Sequence, residues 1–159
     1  MAQYDDPENT LVIETSQGTV VIAMRPDLAP NHVEHIKKLA REGFYDGIVF
    51  HRVIDGFMAQ TGDPTGTGTG SSKYPNLKQE FSTEPHVRGT ASMARAQNPD
   101  SANSQFFICF ADAGFLDRQY TVWGKVVDGM ENVDKIKRGE PVKDPDQMVT
   151  VRVAADIAA

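Results

Sequence analysis

The chain has a single cysteine, Cys109, so no disulfide can form within it. That usage suits a reducing compartment. Long apolar runs are also missing. The longest unbroken one is Phe106 to Ala111, far short of the roughly 20 residues of a spanning helix. There is no basic run, and 22 acidic residues against 16 Lys and Arg leave a net charge of −6. Such a balance argues against nucleic acid and anionic membrane as partners. The first ten residues hold Asp5, Asp6 and Glu8 and no base, unlike a signal peptide, which needs a positive start and an apolar stretch. These absences predict a soluble, cytoplasmic chain. A monomer is the simplest expectation.

Several chemistries lack a needed part. Gly66-Thr-Gly68-Thr-Gly70 does not have the spacing of a dinucleotide or phosphate loop, has no Gly-Lys-Ser/Thr after it, and trails a strand without opening a helix. It reads as a rim loop. His32 and His35 are three apart with no third ligand in view, so neither a metal nor any other cofactor is expected. A helical wheel turns His35 away from the apolar stripe and sets His32 at its border, which reads as a solvated face. Ser104, His51 and Asp63 are the residue types of a hydrolase triad, but no nucleophile elbow surrounds the serine. A triad is a matter of geometry, which spacing does not fix. His51 reads as a hydrogen-bonded structural histidine. Cys109 lies mid-strand without a neighbouring base and reads as a buried structural thiol.

What is present is mostly strand. Leu11–Ser16 alternates apolar and polar residues, and Thr19–Arg25 follows after Gln17-Gly18, a hairpin pattern. From Pro30 the period lengthens, with Val33, Ile36, Leu39 and Ala40 apolar and Gly43 beyond, the start and stop signals of a helix. Strand-like runs return at 49–54, 57–61, 90–94, 106–110, 121–127 and 148–153, with a Gly-, Pro- and Ser-rich loop over 64–76. A second helix is expected from Asp128-Gly-Met-Glu131, a capping-box pattern with Asp first, carrying Met130, Val133 and Ile136 inward and stopping at Gly139. The count is eight strands and two helices with no βαβ alternation. A chain of 159 residues is expected to form one domain, with 1–9 as a flexible tail. Hairpin-linked strands in this number predict a mainly β protein, an antiparallel barrel or a sandwich, either of which limits bare edges.

Three clusters carry chemistry. Between Phe50 and Gln60 stand one guanidinium, Arg52, two large apolar side chains, Phe57 and Met58, and one amide, Gln60. No nucleophile with its base accompanies them. In Gln105-Phe-Phe-Ile108, a strand puts Gln105 and Phe107 on one face and Phe106 and Ile108 on the other. With the latter pair in the core, Phe107 faces out. Either it packs under a loop or it lines a binding surface. Phe115-Leu-Asp-Arg-Gln-Tyr120 adds another apolar pair and a polar-tipped ring. Such a set can grip an uncharged apolar group and hold a fixed positive charge beside it.

Together the clusters resemble the cyclophilin family of peptidyl-prolyl cis-trans isomerases. The likeness rests on Phe50-His-Arg-Val-Ile-Asp-Gly-Phe-Met-Ala-Gln60, Ser92-Met-Ala-Arg95, Ser104-Gln-Phe-Phe-Ile108, Phe115-Leu-Asp117 and Val122-Trp-Gly-Lys-Val-Val-Asp-Gly-Met130, in order along nearly the whole chain. It implies a closed eight-stranded antiparallel β-barrel capped by two α-helices. It implies activity on X–Pro bonds of proline-containing peptides and of unfolded or folding proteins, without a covalent intermediate. Carried over by position, the catalytic arginine is Arg52, with Gln60 beside it. The proline pocket is Phe57, Met58, Phe107 and Leu116. Arg95 joins Gln60 in contacts to the peptide backbone, with Ala94, Gln105, Phe115 and Tyr120 as further substrate-binding positions. Phe115, Tyr120 and Arg95 stand where well-known eukaryotic members have Trp, His and Asn, and the Ser92-Met-Ala-Arg-Ala-Gln-Asn-Pro99 block resembles the short bacterial branch. Phe115 lacks the indole N–H, so cyclosporin-type ligands are expected to bind more weakly. The alternative is a module that holds proline segments without turning them. The retained Arg52 argues against it, because gripping a ring does not require a cation.

Overall fold

The first two strands, β-branched and joined by Gln17-Gly18, begin the sheet as a hairpin. In the computed structural model, which describes residues 6–157, β1 (Thr10–Thr15) and β2 (Gly18–Met24) pair antiparallel from Thr10↔Ala23 to Thr15↔Gly18. Leu11, Ile13, Val20 and Ile22 point into one core. Helix α1 (Pro30–Arg41) buries Val33, Ile36, Leu39 and Ala40 in that core, the three larger side chains each contributing about 1.5–3 kcal/mol when fully covered. The remaining strands are β3 (Ile48–Val49), β4 (Arg52–Ile54), β5 (Met58–Thr61), β6 (Thr90–Met93), β7 (Phe106–Cys109), β8 (Val122–Asp128) and β9 (Gln147–Val153). They form one antiparallel sheet in the order β3-β9-β1-β2-β8-β6-β7-β5-β4.

This corrects the expected closed eight-stranded barrel to a curled nine-stranded sheet. The extra strand comes from the run 49–54, which breaks in two. Phe50 and His51 are neighbours, yet both are buried, whereas a regular strand sends successive side chains to opposite faces. The chain bends there, so β3 pairs with β9 at one end of the sheet and β4 with β5 at the other. The two ends are joined by the chain itself and by single bonds, such as Thr61 Oγ1 to the Val49 carbonyl at 2.9 Å.

The second helix is also shorter than expected. α2 (Met130–Val133) is one turn, and Asp128 belongs to β8, so no capping box forms. Gly129 caps it instead at φ 85. A Cβ on Gly129 would lie 2.0 Å from the Thr19 carbonyl oxygen, so this close approach to β2 admits only glycine. Val133 and Ile136 are buried as expected.

His32 and His35 are buried, not solvated. A helical wheel sees only the helix, but the chain between β5 and β6 crosses this face. Glu80 accepts from the His32 amide at 2.9 Å and lies 2.5 Å from its Nδ1, and the Tyr74 ring stands edge-on to His35. At the other end, Pro7–Asn9, expected as tail, forms a 3-10 turn whose Glu8 pairs with Lys37 and Arg41; residues 1–5 lie outside the described residues. No helix among those described is long and apolar enough to cross a membrane.

Candidate active site

Strand register assembles the site. Arg52 faces Gln60 across β4 and β5, Gln60 faces Phe107 across β5 and β7, and Phe107 faces Ser92 across β7 and β6. This row runs across the outer face of the sheet, because Val53, Ala59, Phe106 and Ile108, the alternate residues, fill the inner core. Phe107 therefore lies opposite Phe106, as alternation predicted. It joins Met58, Cys109, Ala113 and Leu116 in a second apolar cluster, rimmed by Ile54, Phe57, Ala94 and Tyr120.

A hollow of about 150 Å³ opens on this cluster, lined by Arg52, Phe57, Met58, Gln60, Ala94, Arg95, Phe107, Leu116 and Tyr120. Two predicted residues lie outside it. Gln105 lines a neighbouring hollow of about 320 Å³, whose walls include Gly68–Ser71, Asn76, Ser101 and Asn103 and which shares Gln60, Ala94 and Arg95 with the first. Phe115 is 68% exposed on the rim, its ring 5.4 Å from that of Phe57.

A directed chain of hydrogen bonds holds Arg52. Its Nη1 donates to Gln60 Oε1 at 3.2 Å, Gln60 Nε2 donates to Gln105 Oε1 at 2.9 Å, and Gln105 Nε2 donates to the carbonyls of Gly68 and Gly70, each at 3.0 Å. The sense follows from its ends, since guanidinium only donates and a carbonyl only accepts. On the outer side Arg52 Nε donates to Glu140, a partner no sequence pattern indicated. The Arg52 side chain remains 41% exposed, so its charge reaches the mouth of the hollow. Arg95 differs. Its donors go to the carbonyls of Gln119, Ala96 and Gln97 at 2.9–3.2 Å, and the guanidinium lies 4.7 Å from the centre of the Tyr120 ring.

The rival chemistries do not assemble. Ser104 Oγ donates to the Gly62 carbonyl at 2.7 Å. Asp63 lies inside the glycine loop, where burial would raise its pKa. The Thr65 hydroxyl and the amides of Thr65, Gly70 and Gly68 outweigh that and hold it at about 2. The loop's amides thus already surround an anion, the chain's own carboxylate. His51 is buried with no hydrogen-bond partner at Nδ1, which corrects the expectation of a hydrogen-bonded ring. Burial pushes its pKa down, against the pull of Asp63. Burial pushes the Cys109 thiol up to about 12. Among the described residues no group of three or more His, Cys, Asp or Glu is placed to hold a metal. What the hollow offers is an apolar cup, an amide and a fixed cation at its edge.

Residues 10–155 match the family model for cyclophilin type peptidyl-prolyl cis-trans isomerases. The probable peptidyl-prolyl cis-trans isomerase of Brucella suis is 56% identical over 98% of this chain and 87% of that protein. A peptidyl-prolyl cis-trans isomerase of Helicobacter pylori is 44% identical over 82% of each. The crystal structure of a cyclophilin from Hirschia baltica superposes with a TM-score of 0.89 at 32% identity, covering 96% of this chain and 76% of that one. A Cryptosporidium parvum cyclophilin type peptidyl-prolyl cis-trans isomerase, crystallised in the presence of the dipeptide Ala-Pro, gives 0.84 at 27% identity, over 91% of this chain and 98% of that one.

Proposed function

This chain belongs to the cyclophilin-type peptidyl-prolyl cis-trans isomerases, and we propose that it turns X–Pro bonds by seating the proline ring in the smaller hollow while Arg52 stabilises the twisted amide. The observation that carries this reading is the Arg52–Gln60–Phe107 row, which sets a held cation beside an apolar cup. Proline-containing segments of folding or unfolded proteins are the substrates, a choice supported by the Ala-Pro dipeptide present with the Cryptosporidium relative.

The chemistry needs little more. Rotation is slow because amide resonance must be broken, at ~18–20 kcal/mol, and uncatalysed exchange takes tens to hundreds of seconds. Reaching milliseconds requires roughly 10⁴- to 10⁵-fold, about 5.5–7 kcal/mol. In the twisted state the prolyl nitrogen regains a lone pair. A donor aimed at that pair binds the twisted state better than either planar one, and only such a difference accelerates the step. Arg52 stays charged throughout the working range. One preorganised donor contributes about 3–4 kcal/mol in a site with little water. Gln60 and Glu140 keep its fork aimed, and Gln60 also meets the peptide backbone. Phe57, Met58, Phe107 and Leu116 hold the ring still while the preceding residue swings. Arg95, with its donors turned to the carbonyls of Gln119, Ala96 and Gln97, stiffens the wall beside Ala94 and Tyr120. Orientation and desolvation supply the remaining ~2–3 kcal/mol.

The test is exchange of an Ala-Pro peptide measured by NMR line broadening on wild type and Arg52→Ala. Acceleration by wild type and at least a tenfold loss in the variant, with fold intact, is the expected result. Binding without exchange would make the protein a holding module, and an unchanged rate would remove Arg52 from its role.

A further inference from the structure

Below the hollow, two buried side chains, Ser92 and His86, and the part-exposed Asp117 stand in the hydrogen-bond order of a hydrolase triad. Asp117 Oδ1 lies 3.0 Å from His86 Nδ1, and His86 Nε2 lies 2.9 Å from Ser92 Oγ. Ser92 and His86 are almost completely enclosed. A serine so enclosed cannot reach an ester or amide, so nucleophilic attack is not its use.

We infer that His86, oriented by Asp117, is a positioning residue that sets two walls of the proline pocket at once. The first wall is Phe107, whose ring stacks on the imidazole at 6.2 Å and 17°. The second is Leu116. Asp117, the next residue, accepts from the His86 amide at 2.7 Å, and the Ala113 amide donates to the His86 carbonyl at 2.9 Å. The 113–117 turn that carries Leu116 is thereby hung on His86 from both ends. Tyr120 stands edge-on to both rings, 6.5 Å from His86 and 5.8 Å from Phe107.

The proton positions follow from the partners. An ionised carboxylate only accepts, so Nδ1 carries a hydrogen; with the ring neutral, Nε2 has none and accepts from the Ser92 hydroxyl. The Thr121 carbonyl, also 3.0 Å from Ser92 Oγ, has the Met93 amide at 2.9 Å as its donor and does not need that hydroxyl. Burial lowers the imidazole pKa against the pull of Asp117, in keeping with a neutral ring.

The inference rests on the proline ring occupying this hollow, and it predicts a kinetic signature unlike that of Arg52. Phe107 and Leu116 touch the ring equally in planar and twisted states, so misplacing them weakens binding of both and raises KM. Arg52 acts on the twisted state alone, and its loss lowers kcat. Only part of each wall's contact with the ring is lost when the walls slip, so a moderate rise in KM is expected.

The experiment compares Asp117→Ala, Asp117→Asn and Val133→Ala on an Ala-Pro peptide. Asp117→Ala should raise KM about tenfold with kcat within about twofold. Asp117→Asn keeps an oxygen for both His86 donors and should recover most of the loss. Val133→Ala, in α2 away from the hollow, lowers stability through the other core and should leave KM unchanged. An unchanged KM in Asp117→Ala, or an equal rise in Val133→Ala, overturns the inference. If Asp117→Ala does not fold, nitrogen-15 NMR of the wild type decides, since a neutral His86 carrying its proton on Nε2 would also overturn it. Loss of kcat in Arg52→Ala with no KM change in Asp117→Ala defeats this inference alone. An unaffected Arg52→Ala defeats the functional reading beneath it.

Discussion

The two faces of β7 (Phe106–Cys109) make different uses of the same chemistry. Phe106 and Ile108 enter a closed interior, where Phe106 meets Tyr45 and Trp123 edge-to-face. Phe107 and Cys109 enter a smaller cluster that opens to solvent under Arg52 and Gln60. The first face gains by excluding water completely. The second leaves a hollow of about 150 Å³ open to solvent. One short strand therefore carries stability on one side and the proposed chemistry on the other, a direct consequence of its two-residue period.

The largest effect that would sharpen this division is on stability. Phe106→Ala should cost about 3–5 kcal/mol in urea unfolding. Phe107→Ala should cost less, since its ring borders a hollow that water can refill, while raising KM for an Ala-Pro peptide. A greater stability loss for Phe107→Ala would erase the distinction. Next comes Arg52→Ala, which should lower kcat at least tenfold while changing stability little, because a half-exposed ion pair contributes only ~0–1 kcal/mol.

The third effect is on pH. Burial depresses the pKa of His32, His35, His51 and His86 in the folded chain. The unfolded chain then binds more protons at mildly acid pH. Stability is complete above the unfolded value of ~6.5 and falls as pH drops below it. Asp63, at about 2 when folded, adds a second loss between the unfolded ~3.9 and that value. Asp63→Asn should shrink that second loss, which Asp46, Asp117, Asp134 and Asp146 share, and leave the first unchanged in acid unfolding curves. Because no proton moves in the proposed step, the rate should stay nearly flat from about pH 6 to 9. A limb within that range would implicate a titrating side chain and sink the proton-free mechanism. The smallest effect concerns the rim. Phe115→Trp restores a donor that phenylalanine lacks and should tighten cyclosporin-type ligands in a titration without altering kcat. No gain would show that the donor is not what weakens them.

Much of this was readable because strand alternation is local. The outward Phe107 and the hairpin at Gln17-Gly18 both follow from neighbouring residues. The misreadings share one cause. His32 and His35 lie under Tyr74 and Glu80, some forty residues away in the chain, and no helical wheel contains that cover. The break at Phe50-His51 depends on two different edges, β9 and β5, claiming either half of one run. Glu140 reaches Arg52, and Asp117 reaches His86, from loops without periodicity.

By itself the order of residues determined which side chains share a face, where the chain must turn, and that a permanent cation stands near large apolar groups. Those are consequences of backbone period and side-chain type. Tertiary structure alone decided which of these faces close completely, which histidines lose water, and what orients Arg52 and Phe107. Burial and hydrogen-bond partnership belong to groups that meet only when distant segments pack.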